Sequence, residues 1–428
     1  MRRIAHLAAS LTLMLAAPAY ADSLWPTLRP IYEELHAHPE LSFLETATAA
    51  KMAEHLKRLG FEVTTGVGKT GVVGIMKNGS GPAVMIRTEL DGLPVEEKTG
   101  LPYASKATGT NPAGLTVPTM HACGHDVHMT AWLGAATTLA NDKKSWHGTL
   151  IMVGQPAEEI GGGALAMLED GLFTKFPKPD FALAVHDNDA LAAGTIGIKA
   201  GPMLASADSV DIVVYGRGGH GARPHKTIDP IVIAAKIVLG LQTLVSREND
   251  PFDPAVITVG SIHGGTKHNI IPDDVRLQLT VRAYKKEVRA RLLAGIERIA
   301  KAECEAANAP KPPDVTLSDH SPVTSNDPAL TERVRAALKK TLGEARVSEA
   351  VPIMGAEDFS NYGEAGVPIL MMWVGAVNPV VLERSKRDGT VLPGLHSSLF
   401  APDPEPTIMT AVDALVTAAR EVFGPANR

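Results

Sequence analysis

Between Met120 and His128 the chain gathers a thiol, three imidazoles and a carboxylate: Cys123, His121, His125, His128 and Asp126. A thiolate among imidazoles is a donor set for a first-row divalent cation. An Ala/Leu-rich helical run over 129–139 follows. The cluster is therefore expected on a tight turn feeding a helix start, where unpaired backbone N–H groups favour a thiolate. The spacing is unlike that of a zinc finger. Two further polar groups close apolar strands: Gln155-Pro156-Ala157-Glu158-Glu159 after 150–153, and His186 after 181–185. Adjacent glutamates at such a point can divide labour, one binding metal while the other moves protons. His396 stands in Pro393-Gly394-Leu395-His396-Ser397-Ser398. Taken singly, each histidine reads as a packed or surface residue, and the glutamate pair as a solvated corner. Together Cys123, His125, Glu159, His186 and His396 form a ligand-type set that one sheet edge would collect. Asp91, in Thr88-Glu89-Leu90-Asp91-Gly92, ends another short apolar strand, where open α/β sheets place their chemistry.

The elements that must position these residues alternate. Helical periodicity covers 25–59 with a break at His38-Pro39-Glu40, and Gly60 ends it. Strands are expected at 61–65 and 72–77 as a hairpin, then at 83–87, 148–154 and 181–185, with helices at 132–140 and 164–169 between them. This rhythm predicts an α/β domain. From about 201 the pattern changes to strand 210–215, helix 230–246, strands 255–261 and 275–282, helix 287–306 and strand 314–317. That is β-α-β-β-α-β, the order of a ferredoxin-like α+β unit able to stand as an inserted domain. A helix at 329–342, a strand at 368–374 and a helix at 406–423 return to the first style. The expected organisation is a leader over 1–21, a catalytic domain over 22–200 and 318–428, and the insertion over 201–317.

The 428 residues exceed the usual size of one domain. Arg2 and Arg3 precede an apolar run over 8–17, and Ala19-Tyr20-Ala21 offers small residues to a signal peptidase, so cleavage is expected after Ala21. The run is shorter than the roughly 20 residues a membrane span needs, and no later apolar stretch is expected to span. The reading is a periplasmic or secreted protein with no membrane anchor. A net charge of −6, more negative still without the leader arginines, and the lack of a basic stripe argue against nucleic acid as a partner. The two cysteines, Cys123 and Cys304, are expected free, Cys304 as a buried helix residue.

The ordered series of segments resembles the dimetal aminoacylase and carboxypeptidase superfamily, in its amidohydrolase branch of hippurate, N-acyl-amino-acid and indole-acetyl-amino-acid hydrolases. The matching segments are His36-Ala37-His38-Pro39-Glu40-Leu41-Ser42-Phe43 with Glu45-Thr46, residues 87–94, 121–128 and 155–159, and Gly219-His220-Gly221-Ala222 with Pro224-His225. They continue with His268-Asn269-Ile270-Ile271-Pro272-Asp273, Gly355-Ala356-Glu357-Asp358-Phe359 and Leu395-His396. The resemblance implies a metallopeptidase-type catalytic domain with a mixed central sheet flanked by helices and interrupted by a ferredoxin-like domain. It also implies two divalent ions bridged by Cys123 and completed by His125, Glu159, His186 and His396. Manganese is the first candidate, with zinc, nickel and cobalt also admitted. Glu158 matches the general base and acid, and Asp91 the residue that orients a ligand or its loop. His220 matches a histidine that steadies the oxyanion, often from the partner subunit of a homodimer formed through the insertion. Asn269 and His225 match substrate-binding positions. Glu89 stands where the branch commonly has aspartate. The implied reaction is hydrolysis of the amide bond of an N-acyl or N-aroyl amino acid; a dipeptidase or carboxypeptidase is the alternative.

Overall fold

The computed structural model describes residues 21–424. The expected leader lies outside the described residues apart from Ala21, which opens the first helix. The chain begins with α1 (Ala21–Ala37) and α2 (Thr46–Arg58), followed by the antiparallel hairpin β1 (Glu62–Val67) and β2 (Gly71–Asn78), then β3 (Ala83–Glu89). A long loop holding the small hairpin β4 (Thr108–Thr110) and β5 (Thr116–Pro118) leads to α3 (His125–Asn141) and β6 (Gly148–Gln155). Helices α4 (Gly163–Glu169) and α5 (Leu172–Lys175) precede β7 (Phe181–Ala192), β8 (Ile196–Ile198) and β9 (Gly201–Leu204).

The small unit contains β10 (Ser206–Tyr215), β11 (Gly219–His220), α6 (Pro230–Thr243), β12 (Ala255–His263), β13 (Ile270–Ile271), β14 (Asp274–Ala283), α7 (Lys286–Ala306) and β15 (Asp314–Ser321). The chain then returns through β16 (Thr324–Asn326), α8 (Pro328–Leu342), β17 (Val347–Glu349), α9 (Ser360–Glu364), β18 (Ile369–Val377), α10 (Pro379–Asp388) and α11 (Pro404–Phe423).

The main sheet has eight strands in the order β1-β2-β6-β3-β7-β18-β8-β17. It is mixed: β6, β3, β7 and β18 run parallel, while β1, β2 and β8 pair antiparallel with their neighbours toward the centre. The parallel strands are buried almost end to end, as a sheet covered on both faces requires. One face packs on α1, α3, α8 and α11 through Trp132, Leu139, Val334 and Leu415; the other packs on α4, α5 and α9 through Met167, Leu172 and Tyr362. The small sheet is wholly antiparallel in the order β12-β14-β10-β15, and its alternating burial puts one face under α6 and α7. The molecule is thus an α/β catalytic domain with a mixed sheet plus a separate small α+β domain. The two segments that join them, β9 and β16, pair antiparallel with each other.

Two local expectations change. The third helix starts at His125, four residues earlier than the Ala/Leu run suggests. Gly124, with φ 74, turns the backbone through the left-handed region, so His125, Asp126 and His128 occupy the helix's first turn rather than the loop before it. The segment Pro230–Glu248, α6 with a π turn, is by length and composition apolar enough to cross a bilayer, which the sequence reading did not anticipate. Here its Ile233, Ala234, Ile237 and Leu241 are buried in the core of the small domain, and only its far side, with Ile231, Val232 and Leu239, is exposed. Cys123 and Cys304 are both free and buried, Cys304 within α7.

Candidate metal centre

The central strands β3, β6 and β7 deliver Asp91, the 155–159 turn and His186 to one side of the sheet, where α3 brings His125 with Cys123 just ahead of it. His396 arrives from the loop before α11, its backbone N–H on the Ala122 carbonyl at 2.8 Å and its φ at 65. The five expected ligands converge. Cys123 Sγ lies 3.5 Å from His186 Nε2 and 3.3 Å from His396 Nε2. His396 Nε2 is 3.5 Å from Glu159 Oε2, and His125 Nε2 is 3.8 Å from Glu159 Oε1. Donor atoms of Cys123, His125 and His186 lie within 4.8 Å of one another, and so do those of Cys123, Glu159 and His396. Cys123 belongs to both triads, so its sulfur is the donor the two groups have in common.

The ring orientations fit this use. His125 Nδ1 donates to the Asp91 carbonyl at 2.7 Å and His186 Nδ1 to the Asp187 carbonyl at 2.8 Å, which turns each Nε2 toward the cluster. His125 Nε2 and Glu159 Oε1 are buried without any hydrogen-bond partner. Buried polar atoms left this way are costly unless a further group takes them up. Burial first, then neighbouring carboxylates, push the Cys123 thiol well above its ordinary range. Burial likewise raises Glu159 to about 7 against the opposing pull of His125. Cations among these donors would reverse both effects, because a dication stabilises thiolate and carboxylate. Orphaned atoms, donor chemistry and shared thiol together fit two divalent ions.

Glu158 sits beside this set, its Oε2 3.8 Å from His125 Nε2. Burial, then the charges of Glu357, Glu159 and Asp358, hold its carboxyl well above the usual range. Asp91 acts as a brace. Oδ1 accepts the Glu158 N–H and Oδ2 the Glu159 N–H, each at 3.1 Å, and Ser42 Oγ donates to Oδ2 at 2.6 Å.

Several charged residues behind the ligands carry no role in the sequence reading. His128, one turn after His125, sits between Glu89 Oε2 at 3.1 Å and Asp187 Oδ1 at 3.2 Å; burial lowers its pKa, but the two carboxylates raise it to about 9. Its spacing of three from His125 was the available signal. Buried Arg87 bonds Glu89, Glu357 Oε1 at 2.7 Å, Asp358 Oδ1 at 2.9 Å and Gln155 Oε1 at 2.9 Å. Glu89 is therefore tied to both Arg87 and His128. His36 bridges Asp126 at 2.7 Å and Glu97 at 3.0 Å; burial works against its charge, but these carboxylates raise its pKa to about 10.

The structure does not bring the small-domain candidates to this cluster. His220, His225 and Asn269 are exposed on the loops joined by β11 and β13, and none of the three makes a hydrogen bond or ion pair with the ligand set. His220 Nδ1 instead accepts the Ala222 N–H at 3.0 Å.

A mixed α/β sheet with a Cys/His/Glu donor set at its strand ends and a protonatable glutamate alongside defines a metal-dependent hydrolase. The chain belongs to peptidase family M20/M25/M40, whose sequence profile matches residues 85–386. It is 37% identical over 377 residues to thermostable carboxypeptidase 2 of Saccharolobus solfataricus, covering 87% of this chain and 90% of that one. It is 38% identical over 338 residues to the hippurate hydrolase of Campylobacter jejuni, covering 78% and 84%. Among solved structures it superimposes with a TM-score of 0.74 and 30% identity on the YXEP protein of Bacillus subtilis, a dinuclear metal-binding peptidase of the M20 family, over 93% of this chain and 98% of that one.

Proposed function

We propose that this enzyme hydrolyses the amide bond of N-acyl or N-aroyl amino acids, releasing a carboxylic acid and a free amino acid. The observation that carries the reading is the placement of Glu158, a part-buried carboxyl whose Oε2 lies 3.8 Å from His125 Nε2, at the edge of a donor set for two cations. Cys123, His125, Glu159, His186 and His396 would hold those cations, with manganese the first candidate; when bound they supply Lewis acidity toward the carbonyl and acidify water. Glu158 takes the proton of the attacking water and returns one to the leaving nitrogen, which an amine requires. Asp91 keeps Glu158 and Glu159 aimed apart through their backbone N–H groups and fixes the His125 ring through its carbonyl.

The exposed edges of the small sheet, β12 and β15, and the bare Ile231, Val232 and Leu239 on α6 suit a second copy of the chain. In that homodimer His220 would steady the oxyanion, with Asn269 and His225 contacting substrate. The leader supports export to the periplasm or medium. Kinship with a carboxypeptidase favours a second reading, action on small peptides.

Assay of hippurate, acetyl and indole-acetyl amino acids against simple dipeptides, after chelation and with each metal restored, decides between the two. Turnover of the acylated amino acids that vanishes with chelation and returns with a divalent ion is expected. Turnover of dipeptides alone would establish the second reading.

A further inference from the structure

Glu45 occupies neither a metal nor a proton-transfer position, yet it is fully buried and both its oxygens are engaged. Oε1 accepts the Phe43 N–H and the Ala157 N–H, each at 2.8 Å, and Oε2 accepts the Thr70 hydroxyl at 2.5 Å. One carboxylate thus joins the loop after α1, the β1–β2 turn and the turn that follows β6. Ala157 directly precedes Glu158 and has φ 50, a left-handed conformation that disfavours a residue with a Cβ. Such a residue persists only where its surroundings over-determine it. Asp91 takes the next two N–H groups, so three consecutive amides, those of Ala157, Glu158 and Glu159, rest on two buried carboxylates.

We propose that Glu45 is a positioning residue for the catalytic turn, holding Ala157 in its left-handed conformation so that Glu158 faces the reacting atoms while Glu159 faces the cations. The assignment rests on Glu158 being the proton carrier. Adjacent side chains separate according to the backbone between them, and releasing the Ala157 N–H lets that backbone relax toward a right-handed conformation. The relaxation would turn Glu158 away without removing a ligand.

The test compares Glu45→Ala, Glu45→Gln and Thr70→Val. Each is read by kcat and KM on an N-acyl amino acid, by metal content, and by amide hydrogen exchange over residues 155–160. Glu45→Gln keeps a carbonyl oxygen for the two N–H groups and is expected within about 3-fold of wild type. Glu45→Ala is expected to lower kcat by about 10²-fold with KM and metal content within about 2-fold, and to open exchange at 155–160, the scale of losing general acid–base assistance. A Glu45→Ala enzyme whose exchange at 155–160 and kcat both match wild type overturns the proposal, as does one whose activity falls only with its folded fraction. If Glu45→Ala does not fold, Thr70→Val, which frees only the outer oxygen, should lower kcat several-fold at constant KM and loosen the same peptide; unchanged exchange there also overturns it. Should wild type cleave no N-acyl amino acid, the substrate reading fails, while the exchange data still decide the role of Glu45.

Discussion

The floor of the metal centre and the loops of the small domain that carry His220 are built on opposite rules. On the floor, Asp91, His128, Asp187 and Glu89 are buried, and each meets at least two polar partners. On the loops, His220, His225 and Asn269 stand in solvent, and the His220 ring has only the Ala222 N–H. A buried network fixes charge positions before substrate arrives, which is what stabilising a developing charge demands. An exposed histidine fixes nothing until domain closure, substrate or a second copy surrounds it. One chain thus prepares the half proposed to hold metal and move protons, and leaves the half proposed to steady the oxyanion open.

The sharpest way to break this contrast is at the glutamate pair. Glu158→Gln is expected to keep its metal and lose about 10²- to 10⁴-fold in kcat, whereas Glu159→Gln should lose metal as well. Elemental analysis beside steady-state kinetics checks both, and a Glu158→Gln enzyme stripped of metal would erase the division of labour.

His220→Ala probes the open half. Loss of an oxyanion donor lowers kcat by about 10²- to 10³-fold, with metal content and Tm unchanged. Mixing His220→Ala with Glu158→Gln protein separates a partner's histidine from the chain's own. Subunit exchange should restore about a quarter of wild-type activity if His220 acts across a two-fold interface, because half the dimers are then mixed and each holds one intact site. No recovery in mixed dimers confirmed by mass spectrometry would place His220 in its own chain's site.

The smallest effect lies away from both halves. Burial raises Asp413 in α11 to about 6, more than Arg346 lowers it. With the folded pKa above the unfolded one, this group's stabilising contribution is complete below about 3.9 and is lost as pH rises through about 6. Asp413→Asn should therefore raise Tm by about 1–3 °C at pH 8 and leave it unchanged near pH 4. Thermal melts at the two pH values read this directly, and an equal shift at both would show that charge is not the cause.

What the sequence made legible follows from locality. Cys123, His125, Glu158 and Glu159 lie within short motifs, His186 closes the apolar run 181–185, and His396 was reached through the order of motifs. The ferredoxin-like order was legible because its strands alternate inward and outward residues, as β10 and β14 do here. The bracing behind the ligands was not. Arg87 meets Glu357 across 270 residues of sequence and His128 meets Asp187 across 59, separations that no local pattern reports. Strand β7 runs to Ala192 rather than stopping near Val185 because His186, Asp187 and Asn188 continue the ladder with Trp373, Val374 and Gly375. Their polarity had read as a strand end. Three-residue strands such as β8 and β17 are too short to show a period at all.

The two linking strands, β9 and β16, lie side by side, with Leu204 opposite Thr324 and Gly201 opposite Asn326. Chain therefore leaves the larger domain and comes back to it at nearly one point, and a tight turn of a few residues could span the gap. Genetically the small domain is a cassette. All eight strands of the main sheet lie outside it, so its length and surface can diverge without touching the register that holds the catalytic strands.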